Sequence, residues 1–250
     1  ELKVKNQNSK LWQNAILINE NFRNLDKVLE SLKIKKIDGA IFDLGMSSLQ
    51  LEDSGRGFSF QKNEPLLMTF KSEPSPGDLT AKDIVNKWRE KEIADLIYEY
   101  GEERYSRKIA KGIIKVRRER SIETTFELVE IVRKSVPAQY RSNKSLNCAT
   151  RTFQALRIVV NDELTALKEG INKAWDFLRE DGKLVVISFH SLEDRIVKNF
   201  FKDKAVLGEG AILTKKPIVA GEEEKKLNPK SQSAKLRAMK KLTCGEQIKS

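Results

Sequence analysis

The stretch IDGAIFDLGMSSLQLEDSGRGFSFQKNEPLLMTF, residues 37–70, indicates the fold of this chain. It opens on a short apolar run that ends at Asp43, which is typical of a buried strand in a parallel sheet. The residues that follow show neither helical nor alternating apolar spacing and include Gly45, Ser47, Ser48 and Gln50. Such a segment is predicted to be a loop at the carboxyl edge of the sheet, where open α/β folds bind their ligands.

The residues before this stretch complete a strand, helix and strand pattern. Residues 15–18 form an apolar run of strand length, and residues 24–32 place their leucines and valine at helical spacing. Together with the strand that ends at Asp43 they predict a βαβ unit with a right-handed crossover. Phe22 would leave the first strand at the same sheet edge as Asp43. Asp43 has two interpretations, as a site carboxylate or as a turn former, and the residues alone are consistent with Phe22 packed beneath the loop.

From residue 73 the pattern becomes helical. Residues 82–100 predict an amphipathic helix with Gly101 as its C-cap. Residues 104–120 predict a second helix, and residues 124–136 predict a third that ends before Pro137. The second helix carries only one acid, Glu119, against the cations Arg104, Arg107, Lys108, Lys111, Lys115, Arg117, Arg118 and Arg120. A charge run is commonly a solvated face, but an unmixed sign favours contact with phosphate.

The remaining residues return to an α/β pattern. Residues 150–179 predict a helix with a break near Asn161, and residues 184–189 predict a buried strand after a turn at Asp181-Gly182. Ser191 and Asp194 predict a capping box for the following helix, so His190 should lie at a second strand end beside Asp43. Residues 211–216 and 234–239 predict an antiparallel pair that closes the sheet. Residues 243–250 are expected to be a disordered tail.

Composition and charge narrow the class of partner. The formal net charge of +11 and pI near 9.5 favour a polyanionic partner, although a merely soluble basic protein remains an alternative. Cys148 and Cys244 stand far apart and in no metal-ligand spacing, which predicts a reducing compartment, no disulfide scaffold and no metal site. No apolar run has the length of a membrane span and no signal-peptide pattern opens the chain, so a cytoplasmic location is expected.

Three strings in this sequence resemble one protein family. The first, DLGMSSLQLED followed by RGFSF and PLLM, resembles the DLGVSSPQLD, RGFSF and PLDMR of the bacterial small-subunit ribosomal RNA cytosine-N4 methyltransferases, the MraW/RsmH family. CATRTFQALRIVVN, residues 148–161, and ISFHSLEDRIVK, residues 187–198, resemble two further strings of that family in the same order. The resemblance extends from about residue 16 to residue 242.

The resemblance implies a fold and an activity. The fold is a Rossmann-like S-adenosylmethionine-dependent methyltransferase core over residues 1–72 and 149–242, with an all-helical, RNA-facing insertion over residues 73–148 and a tail over 243–250. The activity is transfer of a methyl group from S-adenosylmethionine to N4 of a cytosine in the decoding region of 16S ribosomal RNA. The implied partner is this RNA or the 30S subunit, with no membrane partner. A homodimer is left open.

The resemblance and the reaction chemistry together name the site residues. The family's donor contacts match Phe22, Asp43 and Gln50. Because the N4 lone pair of cytosine is delocalised into the ring, an acceptor near N4 must hold the amine in line for displacement. Candidates for this catalytic role are Asp43, Ser47, Ser48 and His190, although Asp43 is favoured as a donor contact.

Three further candidates keep two interpretations each. His190, the only histidine, either lines the base pocket or is a structural residue bonded to a backbone carbonyl. Arg151 and Arg157 either bind RNA phosphate or orient Asp43 without contacting the ligand themselves.

The sequence also departs from the family. The family's glycine-rich donor-binding turn precedes the region that matches residue 16 and is absent, so the core is expected to be N-terminally incomplete: either the chain lacks its N-terminal part or it is a natural variant without the donor site. Leu67 replaces an Asp, Phe70 a polar residue, and Asn147-Cys148 a His-Pro pair. The alternative function is therefore a non-catalytic RNA-binding or ribosome-assembly relic, and a third is a methyltransferase of the same fold that acts on another RNA or on DNA.

Overall fold

The computed structural model describes residues 15–47, 54–141 and 147–243. Short 3-10 turns cover Phe22–Asn24 and Pro229–Ser233. In chain order the helices and strands are α1 (Leu25–Ser31), β1 (Ile37–Asp43), α2 (Ala81–Lys87), α3 (Glu90–Gly101), α4 (Ser106–Arg117), α5 (Thr125–Ser135), α6 (Ala138–Arg141), α7 (Thr150–Asn161), α8 (Glu163–Phe177), β2 (Leu178–Ser188), α9 (Ser191–Val206), β3 (Gly210–Ile212), β4 (Ile218–Val219), α10 (Glu222–Leu227) and β5 (Lys235–Lys241).

The chain divides into two compact units. The first, called the sheet unit, comprises Glu1–Leu44 and Leu164–Ser250; the second, called the helical unit, comprises Gly45–Glu163. The division predicted from sequence, with a core over residues 1–72 and 149–242 and an insertion over residues 73–148, stays a prediction.

A mixed sheet organises the sheet unit. β1 pairs in parallel with β2, β2 pairs antiparallel with β5, and β3 and β4 each pair antiparallel with β5. This confirms the predicted parallel pair. It also confirms the predicted antiparallel closure, although of residues 211–216 only Ala211 and Ile212 lie in β3, which pairs with β5. Leu184 and Val186 are buried, whereas their neighbours Val185 and Ile187 are only half-buried, so the strand alternates with the period of two that a pleated strand imposes.

The core of this unit is apolar and continuous. It is formed by side chains of β1, β2, α8, α9 and β5, among them Phe42, Leu167, Trp175, Val197 and Met239. Trp175 is 2% exposed. Burial of aliphatic and aromatic area of this kind is the main favourable term in folding.

The prediction of a strand over residues 15–18 is wrong. Residues 15–18 form no strand, and Ile16 remains 65% exposed. Within the described residues β1 pairs with β2 only, and Ile41 is 75% exposed, so β1 is not buried on both faces as predicted. An apolar run becomes a strand only where a neighbouring backbone supplies ladder hydrogen bonds, and residues 15–18 have no such pairing.

The prediction of a turn at Asp181-Gly182 before the strand is also corrected. Instead of a turn before β2, it lies inside that strand, where Asp181 adopts φ 62° and the register with β1 shifts between Ile37 and Gly39. Between these two pairs β1 advances by two residues and β2 by five, so the extra residues of β2 bulge out of the ladder. The Asp181 carboxylate accepts a hydrogen bond from Lys240 on β5 at 2.7 Å.

The helical unit packs around fully buried aliphatic side chains. Its core includes Ile84, Ile97, Ile113, Leu128 and Leu156. The predicted helix over residues 124–136 is confirmed as α5, whose N-cap Thr124 forms a capping box with Glu127. Residues 54–72 belong to the same unit, and Leu66 and Met68 of that segment are fully buried.

The prediction of a single helix over residues 82–100 is wrong. Trp88 and Arg89 are extended, with ψ near 155°, and separate α2 from α3. Arg117 donates hydrogen bonds to the carbonyls of Val85 and Trp88 at 3.1 and 2.5 Å. A distant guanidinium therefore satisfies carbonyl groups that a continuous helix would have paired internally.

Gly101 is not the C-cap of the helix, as was predicted from sequence. It is the last residue of α3, and Glu102 takes the left-handed conformation instead, with φ 50°. A Cβ at Gly101 would lie 2.6 Å from the carbonyl oxygen of Arg151, so the glycine is required for the close approach of α7 to α3.

The predicted break near Asn161 is confirmed. Asp162 adopts φ 50° and ends α7. No helix in the described part of the chain is long and apolar enough to cross a membrane.

Candidate functional site

The carboxyl ends of β1 and β2 lie side by side at one edge of the sheet. Asp43 is in register with Ile187, three residues before His190, and the backbone N–H of Leu44 donates to the carbonyl of Ile187 at 3.0 Å. Asp43 is exposed. The structure therefore places the Asp43 and His190 segments at neighbouring strand ends, as the sequence predicted.

Phe22 lies beside the end of β1. Its ring meets that of Phe42 edge to face, with centroids 5.5 Å apart, and the residue is still 39% exposed. Gly170 of α8 makes room for the ring, since a Cβ there would lie 2.6 Å from Cδ2 of Phe22. The packing interpretation of Phe22 is confirmed for one edge of the ring, part of the side chain remains accessible, and the ligand contact stays a prediction.

Two ion pairs hold the turn that carries Phe22 against α8. Arg23 pairs with Glu169 at 3.1 Å, and Lys173 donates to the carbonyl of Arg23 at 2.5 Å and to the carboxylate of Asp26 at 2.9 Å. The hydrogen bond from Lys173 holds the pKa of the Asp26 carboxyl below its usual range. These contacts fix the backbone on both sides of the Phe22 ring.

The capping box of α9 is shifted by one residue from the prediction. The N-cap is His190, not Ser191, and the partner three residues later is Glu193, not Asp194. The Glu193 carboxylate accepts from the backbone N–H of Phe189 at 2.8 Å and of His190 at 3.3 Å, while His190 Nδ1 accepts from the N–H of Glu193 at 3.4 Å. His190 is therefore bonded to a backbone N–H rather than to a backbone carbonyl.

Asp194 makes an ion pair that the sequence did not indicate. Arg237 on β5 donates to both carboxylate oxygens of Asp194, at 2.7 and 3.1 Å, and both side chains are nearly buried. Burial raises the pKa of Asp194, but the hydrogen bonds and charge of Arg237 outweigh it and hold that pKa below the usual range. Both residues lie in segments that resemble the family, which was the only available signal of their importance.

The loop after β1 is partly described. Ser47 is exposed, whereas Ser48 and Gln50 lie outside the described residues. Further along, Arg56 donates to the carbonyls of Thr69, Phe70 and Lys71 at 2.7–3.0 Å. These hydrogen bonds join the RGFSF segment to residues 69–71, so this segment stabilises the loop conformation.

Asn161 holds the far end of the same loop. Its amide donates to the carbonyl of Met68 at 2.8 Å, and its side-chain oxygen accepts from the N–H of Phe70 at 2.7 Å. Leu67 and Phe70, two departures from the family pattern, thus lie in a segment whose backbone is held by residues of the second string.

The cations of α4 and of the residues that flank it divide into two groups. Six of the predicted RNA-binding residues are exposed and have no carboxylate partner within the described ranges: Arg104, Arg107, Lys108, Lys111, Lys115 and Arg118. Arg117 is half-buried and is occupied by the carbonyls of Val85 and Trp88. Because Ile109 and Ile113 point inward, the six exposed cations form a one-signed surface along the helix, called the basic face below.

The remaining two predicted RNA-binding arginines make contacts within the helical unit. Arg157 pairs with both carboxylate oxygens of Glu163, at 2.8 and 2.9 Å, and is largely buried. Arg151 donates to the carbonyl of Glu102 at 2.8 Å. Near them, burial raises the pKa of the free thiol of Cys148, so this cysteine is not an activated nucleophile.

Comparison with known proteins identifies relatives across nearly the whole chain. The model of the MraW methylase family matches residues 3–242. The "Ribosomal RNA small subunit methyltransferase H" of Wolbachia sp. subsp. Drosophila simulans (strain wRi) is 50% identical over 226 residues, which are 90% of this chain and 75% of that protein. The protein of the same name from Sulfurihydrogenibium sp. (strain YO3AOP1) is 48% identical over 96% of this chain and 81% of its own length. That of Deinococcus deserti is 46% identical over 93% and 74%.

Proposed function

Because this chain belongs to the MraW methylase family, we propose that it transfers a methyl group from S-adenosylmethionine to the exocyclic N4 of a cytosine in the decoding region of 16S ribosomal RNA. The observation that carries this proposal is the 50% identity, over 90% of the chain, to a ribosomal RNA small subunit methyltransferase. The fold proposed with it is a Rossmann-like core that carries a helical insertion over residues 73–148.

The proposed donor contacts are Phe22, Asp43 and Gln50. The partly exposed ring of Phe22 suits an aromatic base, and the exposed carboxylate of Asp43 suits hydroxyl or ammonium groups, so these two residue types fit S-adenosylmethionine. When bound, the donor supplies an electrophilic methyl group on a sulfonium. Gly170, Glu169 and Lys173 of α8 support the fit because they hold the Phe22 turn in place.

The acceptor side is proposed to use Asp43, Ser47, Ser48 and His190. Asp43 and the two hydroxyls would hold the cytosine amine by hydrogen bonds and accept its developing positive charge. His190 is the N-cap of α9, and its Nδ1 accepts from a backbone N–H. Its role is therefore to hold the second strand end in shape and to line the pocket for a base that has left its stack.

The proposed partner is 16S ribosomal RNA, free or within the 30S subunit, and the proposed location is the cytoplasm, where that RNA is made. The basic face supports this choice, because exposed cations that have no carboxylate partner among the described residues can neutralise phosphate. Arg151 completes the proposed RNA-contacting set, and Arg157, which is paired with Glu163, is proposed to support α7 behind it.

Isothermal titration of S-adenosylmethionine into this chain, with Asp43→Ala beside it, tests the donor site. We expect binding at tens of micromolar or tighter, weakened at least about tenfold by the substitution, since a charge-assisted contact contributes about 1.5–3 kcal/mol. Circular dichroism of both proteins controls for folding. Methylation of 16S RNA and of 30S subunits, with mass spectrometry of the cytosine, then tests the reaction. A folded chain that binds RNA but not S-adenosylmethionine would instead be the non-catalytic relic.

A further inference from the structure

Four residues of the helical unit form a cluster that the proposed catalytic site does not use. Glu103 is fully buried and accepts from the backbone N–H of Tyr105 at 2.8 Å and from the hydroxyl of Tyr140 at 2.5 Å. The two tyrosine rings meet edge to face with centroids 5.0 Å apart. The guanidinium carbon of Arg104 lies 4.9 Å from the Tyr105 centroid and 5.3 Å from that of Tyr140.

The buried carboxylate keeps the rings in place. Burial and the hydrogen bond to Glu103 raise the pKa of Tyr140 to about 12, so its hydroxyl stays protonated and continues to donate at neutral pH. Tyr105 is held through its own backbone N–H. Two half-buried rings with fixed positions therefore lie under one exposed guanidinium, and we call Arg104, Tyr105 and Tyr140 the tyrosine platform.

The guanidinium of Arg104 remains available to a ligand. Arg104 is exposed, and within the described ranges its side chain makes cation–π contacts with the two rings but no hydrogen bond or ion pair. Cation–π contact restricts the side chain without using its five N–H donors. Lys108, whose Nζ lies 5.7 Å from the Tyr105 centroid, and Arg107 place two further exposed cations one turn or less along the chain.

We propose that the tyrosine platform binds one unpaired nucleotide of the RNA substrate, whose base stacks on the platform at Arg104 while Lys108 and Arg107 neutralise the adjacent phosphate. Stacking on aromatic rings and on guanidinium planes is how proteins recognise RNA bases that are not paired. A base inside a duplex has both faces covered by its neighbours, so the ligand is single-stranded. This inference rests on the proposed RNA substrate and adds a defined nucleotide site to it.

The test compares two charge-conserving substitutions on the same surface. Arg104→Lys removes the planar guanidinium above the tyrosines, and Arg118→Lys makes the same change at an exposed arginine of the basic face with no aromatic ring beneath it among the described residues. Binding of fluorescein-labelled single-stranded RNA and of a duplex of equal length is measured by fluorescence anisotropy at several salt concentrations. Tyr105→Leu, with unchanged charge, is the second variant of the platform.

The expected results separate stacking from charge. Arg104→Lys and Tyr105→Leu should each weaken single-stranded RNA binding about five- to tenfold, with an unchanged salt slope and unchanged duplex binding. Arg118→Lys should change affinity less than about twofold. Equal effects of the two lysine variants, or equal losses for single strand and duplex, would overturn the nucleotide site while leaving the RNA substrate in place. No RNA binding by the unchanged chain would overturn both.

Discussion

The two units of this chain use their charged side chains differently. In the sheet unit three carboxylates near the strand ends and the Phe22 turn are paired: Asp194 with Arg237, Asp26 with Lys173, and Glu169 with Arg23. In the helical unit six cations on α4 and on the residues that flank it have no carboxylate partner among the described residues. A paired charge holds one part of a protein against another, whereas an unpaired one is free for a partner. The first set therefore has an architectural role, and the second set supports the proposal that this surface contacts RNA.

The largest expected effect comes from breaking a paired charge. Arg237→Met should destabilise the protein by about 3 kcal/mol, because Asp194 is left nearly buried without its partner. Urea unfolding followed by circular dichroism measures this loss. Arg179→Met, which breaks an exposed pair with Asp38 in the same unit, is the matched control and should leave the midpoint nearly unchanged. Equal effects of the two would contradict an architectural role for the buried pair.

The same pair predicts a pH dependence with a definite sign. The pKa of Asp194 is lower in the folded protein than its usual value of 3.8, so its stabilisation is present above that value and is lost as pH falls through the folded pKa. The difference in unfolding free energy between the unchanged protein and Arg237→Met should therefore be constant near neutral pH and shrink below about pH 4. A difference that stayed constant in acid would mean that Asp194 is not the group responsible.

An intermediate effect is expected inside the helical unit. Tyr140→Phe removes one of the two hydrogen-bond donors that the Glu103 carboxylate has among the described residues, and it should destabilise the protein by about 1–3 kcal/mol. Because the pKa of Tyr140 is raised to about 12, the contribution of its hydroxyl is complete below pH 10 and is lost as pH rises toward 12. The difference in unfolding free energy between the unchanged protein and Tyr140→Phe should thus be smaller at pH 11 than at pH 8. An identical difference at both pH values would be evidence against the hydrogen bond.

Substitutions on the basic face are expected to have the smallest effect on stability and a clear effect on the salt dependence of RNA binding. Lys111→Ala and Lys115→Ala should leave the unfolding midpoint unchanged because both side chains are exposed and unpaired within the described structure. Each should reduce the salt slope of single-stranded RNA binding by about 0.7. Lys134→Ala on α5, where the lysine pairs with Glu130 at 3.2 Å, is the control and should leave the slope unchanged. Unchanged slopes for Lys111→Ala and Lys115→Ala would remove α4 from the RNA surface.

Local patterns predicted much of this molecule. The apolar run that ends at Asp43, the helix that begins after Thr124, the break near Asn161 and the antiparallel pair at the end of the sheet were all indicated by periodicity, caps and turn residues. The same reasoning was wrong for residues 15–18 and for the helix over residues 82–100. Both errors concern backbone groups whose partners, or lack of them, depend on distant parts of the chain.

The sequence by itself determined the family, the order of most elements and the excess of cations on α4, because these follow from residue identity and short-range spacing. Only the tertiary structure decided that Glu193 rather than Asp194 completes the capping box of α9, that Arg237 holds Asp194 across 43 residues of sequence, and that Tyr140 meets Glu103 and Arg104. Periodicity records which face of an element is apolar. It carries no record of which polar groups meet once those faces pack, and that choice depends on the geometry of the whole unit.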